Sequence, residues 1–179
     1  MKKLLAVIDM QKDFVDGSLG SNEAVAIVPK VVEKIKQYME DASTIIFTKD
    51  THFENYMDTM EGKNLPVPHC IKGTSGHELC KEIKELGIEE KCTVYEKNTF
   101  GSKELAADLA AGKYNDYDEI ELVGLCTDIC VISNAMLFKT YLLETNIKVD
   151  AAACAGASIR GHEVALLAMK ACQIEVCND

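Results

Sequence analysis

Apolar positions in this chain fall into two alternating rhythms. Short runs of strand length stand at 4–8 (LLAVI), 44–48 (TIIFT), 92–95 (CTVY), 119–123 (EIELV), 147–151 (IKVDA) and 173–176 (QIEV). Several are apolar without interruption, as strands covered on both faces are. Between them the spacing turns helical. A stripe of Val28, Val31, Val32, Ile35, Tyr38 and Met39 predicts a helix starting near Pro29, a residue suited to a first helical turn. HELCKEIKELG puts Leu79, Ile83 and Leu86 on one face with Gly87 as a C-cap, and further helices are predicted over 102–112, 128–144 and HEVALLAMKAC. Strand and helix in alternation, with short connections, predict a doubly wound, three-layer (Rossmann-like) α/β fold with a central, mostly parallel six-stranded sheet. Neither a repeat nor a linker interrupts residues 1–179, which read as a single domain.

Only residues 50–76 break the rhythm. They hold two histidines and two of the three prolines, and a long irregular loop in such a fold usually carries function. In open parallel sheets the ligand crevice lies beyond the carboxyl ends of the strands. Asp9 follows the first strand, Asp50 the second, Lys97 the third and GLCTDIC the fourth. Four strands thus deliver reactive side chains to one edge.

Composition narrows the partners. Nineteen basic against twenty-nine acidic residues leave a net charge of −10, which repels phosphate backbones and anionic lipid. No apolar run approaches the roughly 20 residues of a membrane span, and Leu4–Ile8 is too short for a signal-peptide core. The chain reads as a cytoplasmic protein with no nucleic-acid or membrane role. Its eight cysteines contain no CxxC pair, so free thiols are expected, with Cys80, Cys92, Cys154 and Cys172 as small buried apolar groups.

In ELVGLCTDICV, Gly124 ends a strand, Thr127 or Asp128 can cap the next helix, and Cys130 falls in its first turn. Free backbone N–H groups there favour a thiolate and can hold an oxyanion. Cys126, in the turn itself, is the rival nucleophile. Asp9 can be a cap, a ribose ligand or a general base, and Lys97 a solvated loop lysine or a cation steadying both anions. Asp50 and His52, at i and i+2, face one way in an extended stretch, with Glu61 and His69 in the same loop. Two histidines with carboxylates suit zinc first, then manganese or iron. His77 and His162 are assigned to helix starts rather than to a metal.

VIDMQKDF, DTH, PHCIKGTSGHEL, the lysine of YEKNTF and GLCTDICV, in this order, resemble the isochorismatase-like cysteine hydrolase superfamily, most closely its nicotinamidase branch. The resemblance runs nearly end to end. It implies a triad of Asp9 as base, Lys97 as its electrostatic partner and Cys130 as nucleophile, working through a thioester. It also implies a cis peptide at Leu125–Cys126, and an oxyanion held by the N–H groups of Cys126 and Cys130. A divalent metal, zinc before manganese or iron, would be held by Asp50, His52, Glu61 and His69. The substrate would be a small amide, nicotinamide in NAD salvage, with another small amide or ureide as the alternative. Homo-oligomers are common in relatives of this kind. A non-catalytic binding domain and a metal hydrolase using bound water are the rival classes. Phe14 matches one wall of the pyridine pocket, whereas Thr51 and Leu65 or Pro66 stand where aromatics are usual.

Overall fold

The computed structural model describes residues 1–179. Six strands form one sheet: β1 (Lys3–Ile8), β2 (Thr44–Asp50), β3 (Thr93–Lys97), β4 (Glu119–Leu125), β5 (Asn146–Ala155) and β6 (Glu175–Cys177). Their order is β3-β2-β1-β4-β5-β6, and every pairing is parallel. The expected mostly parallel sheet is therefore wholly parallel. Leu4 to Ile8 of β1 are fully buried. Leu4, Ala6 and Ile8 pack toward α5 (Lys103–Ala110), α6 (Ile132–Tyr141) and α7 (Ile159–Ala171). Leu5 and Val7 pack toward α1 (Lys12–Val15), α2 (Asn22–Glu40) and α4 (Lys81–Lys84). This two-sided burial explains the uninterrupted apolar run, and each large aliphatic side chain so covered contributes on the order of 2 kcal/mol.

Several element boundaries differ from the sequence pattern for identifiable reasons. α2 starts at Asn22, because Ser21 caps it by accepting the Ala24 N–H at 3.0 Å, and Pro29 lies inside it. Its buried stripe begins at Ala24, and Met39 turns to solvent. The helix expected over 77–87 shrinks to the single turn of α4. Residues 78–80 instead run extended against the end of β1: the Lys12 N–H donates to Glu78 O at 2.9 Å and the Cys80 N–H to Met10 O at 2.8 Å. A tertiary bridge takes the backbone groups a local helix would have used. The helix expected over 128–144 is divided into a wide π turn, Thr127–Val131, and α6. All eight cysteines are free thiols; Cys172 is exposed, and Cys92 only half-buried, contrary to the apolar reading of both. No helix is long and apolar enough to cross a membrane.

Candidate active site

The strand order places a switch point between β1 and β4: β2 and β3 extend the sheet to one side, β5 and β6 to the other. A crevice opens at the carboxyl end of such a pair. Close approach of β1 and β4 there depends on Gly124, whose φ is +119° and where a Cβ would lie 2.1 Å from Ile8 O. Asp9, the first residue beyond β1, sits in the left-handed region at φ +46°, which is rare outside glycine and concentrates at functional sites.

Three elements bring Asp9, Lys97 and Cys130 together. Lys97 Nζ lies 2.6 Å from Asp9 Oδ2, 3.4 Å from Cys130 Sγ and 3.7 Å from Asp50 Oδ1. All three side chains are buried, Asp9 completely. Asp9 Oδ1 accepts the Thr48 hydroxyl at 2.6 Å. Its Oδ2 is ion-paired with the lysine. Burial raises the Asp9 carboxyl above the ordinary range against the pull of Lys97. Lys97 is held up, because Asp9, Cys130 and Asp50 outweigh its own burial.

Sequence position favoured a lowered thiol pKa at Cys130, and the structure corrects this. Burial first and the Asp9 charge second push the thiol well above its usual value, with Lys97 only partly compensating. At rest Cys130 therefore carries its proton beside a carboxylate able to take it. Nor do Thr127 or Asp128 cap the turn. The Thr127 hydroxyl pairs with His162 Nδ1 at 2.8 Å, and Asp128 Oδ1 accepts the Ala157 N–H at 2.8 Å, docking the start of α7 against the turn. The Leu125–Cys126 peptide is cis, and the Cys126 N–H donates to no group of the protein.

The second cluster lies beside the first. One donor atom from each of Asp50, His52, Glu61 and His69 falls within 4.8 Å of all the others. Asp50 ends β2, and Glu61 lies on α3 (Met60–Asn64), capped by Thr59, which accepts the Gly62 N–H at 3.0 Å. His52 Nε2 is 2.9 Å from Asp50 Oδ2 yet has no hydrogen-bond partner. The four donor atoms are close enough together to be shared by one ion. His69 Nδ1–H donates to Val67 O at 2.8 Å and leaves Nε2 free, 3.3 Å from Asp50 Oδ2. The donor set, its geometry and the orphaned His52 nitrogen fit a borderline dication. Without one, burial opposes but Asp50 and Glu61 carry His52 up to about 9. Asp50 sits below the carboxylate range because His52, His69 and Lys97 outweigh burial. His77 and His162 lie outside this group.

Asp50, Glu61, His69, Cys126 and Cys130 all face one cavity of about 400 Å³. Phe14 and Leu65 line it, as the sequence suggested. Two aromatics near these clusters went unrecognised. Phe100, half exposed in the loop after Lys97, forms part of the wall, and Tyr56 places its ring 4.7 Å from His52 and 5.1 Å from His69. For Phe100 the available signal was an aromatic three residues past a strand-end lysine; Tyr56 offered none.

Fold and site together define a doubly wound α/β protein whose binding site lies at the strand ends of its topological switch. Residues 3–178 match the Isochorismatase domain, and the chain belongs to that family. It is 30% identical over 176 residues to the isochorismatase family protein PncA of Bacillus subtilis, covering 93% of both chains. The crystal structure of nicotinamidase/pyrazinamidase PncA from Bacillus subtilis superposes with a TM-score of 0.83 at 29% identity, over 98% of this chain and 99% of the other. The pyrazinamidase of Pyrococcus horikoshii, solved in complex with zinc, gives a TM-score of 0.79 at 26% identity over the full length of both.

Proposed function

We propose that this protein is a nicotinamidase-type amidohydrolase, converting nicotinamide or a close relative such as pyrazinamide to the carboxylate and ammonia. The observation that carries the reading is Lys97, within 3.4 Å of the Cys130 thiol and 2.6 Å of Asp9, with Cys130 itself lining a cavity whose wall also bears His69 and the carboxylates Asp50 and Glu61. Its likeness to nicotinamidase structures supports the same reading.

Asp9 Oδ2 takes the thiol proton while Lys97 steadies both anions. Cys130 Sγ then bonds to the amide carbon, and the N–H groups of Cys126 and Cys130 receive the oxyanion. The C–N bond breaks as Asp9 returns its proton to nitrogen, releasing ammonia and leaving a thioester. Water attacks the thioester as Asp9 accepts one of its protons, Asp9 passes that proton to the sulfur as the S–C bond breaks, and the acid loses its own proton to solvent, leaving the carboxylate and the thiol. A carboxyl raised by burial suits this exchange, because a base nearer the working pH both accepts and returns a proton readily. Asp50, His52, Glu61 and His69 would hold the dication, which supplies a Lewis-acid contact for a ring nitrogen and so orients the substrate. Phe14 and Phe100 flank the ring. The nicotinate formed would enter pyridine-nucleotide salvage in the cytoplasm.

The test is ammonia release from nicotinamide by purified protein, with Cys130→Ala and chelated and metal-repleted arms. Release that needs both the thiol and the metal supports the reading. Absent release, with Cys130 still alkylated readily, removes nicotinamide and redirects the search to other small amides and ureides. Full turnover by Cys130→Ala would falsify thiol catalysis.

A further inference from the structure

Resting on the metal reading above, we infer that Gln11 and Asp13 are positioning residues that anchor the metal ligands to the end of β1. Neither lines up with a ligand role, since neither donates an atom to the cluster. Gln11 is fully buried, and its amide makes three hydrogen bonds to backbone groups. Oε1 accepts the Asp50 N–H at 2.7 Å, while Nε2 donates to Asp50 O at 2.8 Å and to His77 O at 2.9 Å. Through these bonds the side chain acts as a strand partner for Asp50 where the backbone of β1 has already turned away. Asp13, two residues on, holds the other half of the set. Its Oδ2 accepts the Cys70 N–H at 2.8 Å, directly after His69, and Cys70 is a non-glycine residue at φ +46°.

The two ligand-bearing segments are already tied to each other. The His52 N–H donates to Cys70 O at 3.0 Å, and the Lys72 N–H to His52 O at 2.9 Å. The sheet already fixes the β2 end of that bridge, through the Asp50–Lys97 pairing and the Thr51 N–H donated to Lys97 O at 2.7 Å; its loop end needs a further tie to the chain that leaves β1. One turn of chain supplies it: Gln11 grips the β2 side and Asp13 the loop side, and Phe14 lays its ring 5.4 Å from His69. Space is made for the Asp13 carboxylate by Gly76, where a Cβ would lie 2.0 Å from Oδ2. Groups that orient metal ligands from behind typically govern affinity by about 10–100-fold.

The experiment is a zinc competition titration against a chromogenic chelator, with melting temperature recorded with and without zinc. The samples are wild type, Gln11→Met, Asp13→Ala and Asp13→Asn. Gln11→Met and Asp13→Ala should bind zinc about tenfold more weakly or worse, with a smaller zinc-induced rise in melting temperature. Asp13→Asn, which keeps an acceptor oxygen, should stay near wild type. Folded Gln11→Met and Asp13→Ala proteins with wild-type zinc affinity would overturn the inference, because a merely structural role lowers stability equally with and without metal. If neither variant folds, Gly76→Ala decides: it displaces the Asp13 carboxylate without removing it, and unchanged affinity there also overturns the inference. A wild-type chain that binds no zinc, manganese or iron sinks the metal reading itself, and this inference with it.

Discussion

Lys34 and Lys97 are both lysines that bridge two buried carboxylates, yet their surroundings differ atom by atom. Lys34, on α2, lies 3.0 Å from Glu121 Oε1 and 3.0 Å from Asp150 Oδ2. Every remaining oxygen there is used. Tyr38 donates to Glu121 Oε2 at 2.8 Å, Asn178 to Asp150 Oδ2 at 3.0 Å, and the Ala152 N–H to Asp150 Oδ1 at 3.1 Å. Cys177 gathers close enough to complete a three-donor group, but its thiol already donates to Val149 O at 3.6 Å. Around Lys97 the accounting stays open. His52 Nε2 there lacks a directed hydrogen bond, and Asp9 Oδ2 has only the Lys97 ion pair. A cavity adjoins the Lys97 cluster. Buried charge alone therefore does not mark a functional site. A buried polar group left short of hydrogen bonds beside a cavity makes the better candidate, because its desolvation cost is one a ligand can offset.

The contrast is broken most directly at Cys130. Cys130→Ala should lower ammonia release from nicotinamide by about four orders of magnitude or more, as loss of a nucleophile usually does, while leaving the melting temperature nearly unchanged. The converse holds at the closed network. Lys34→Met strands two buried carboxylates and should cost about 3 kcal/mol in urea denaturation, with kcat per folded molecule intact. Equal loss of stability and turnover in both variants would erase the distinction between the regions.

Smaller effects sharpen it. Asp50→Ala or His52→Ala should weaken zinc binding at least tenfold in a chelator competition, the scale on which even indirect supports of a metal act. Zinc affinity should also rise with pH. The metal needs a neutral imidazole, and His52 keeps its proton in the metal-free protein until about 9, so affinity climbs by about tenfold per unit below that value for the one proton released. Titrations between pH 6 and 8 check the slope. The sign for metal-free stability is opposite: the raised His52 contributes fully below 6.5 and its contribution is lost as pH passes through about 9. Smallest of all, Tyr38→Phe removes one hydrogen bond to Glu121 and should cost about 1 kcal/mol by denaturant melt, without effect on turnover.

The class of fold, and the sheet edge at which the candidate site lies, can be read from residue pattern alone. Uninterrupted apolar runs alternating with helical stripes admit few arrangements other than a parallel sheet covered on both faces, and that topology sends strand-end residues to one side. Asp9, Asp50, Lys97 and the Cys126–Cys130 turn were legible at that edge for this reason, and the likeness of their motifs to a known family suggested the roles proposed above. Local pattern misjudged the start of α2, where a proline inside the helix masked the Ser21 cap. It also overextended the helix at 77–87, because residues 78–80 spend their hydrogen bonds on a distant segment. The folded neighbourhood alone shows that Cys130 is buried enough to keep its proton, that Phe100 lines the cavity while Tyr56 packs against His52 and His69, and that Gln11 and Asp13 brace two segments remote in sequence. These depend on burial and on contacts across the sheet edge. Both are properties of the folded neighbourhood, which residue spacing along the chain does not encode.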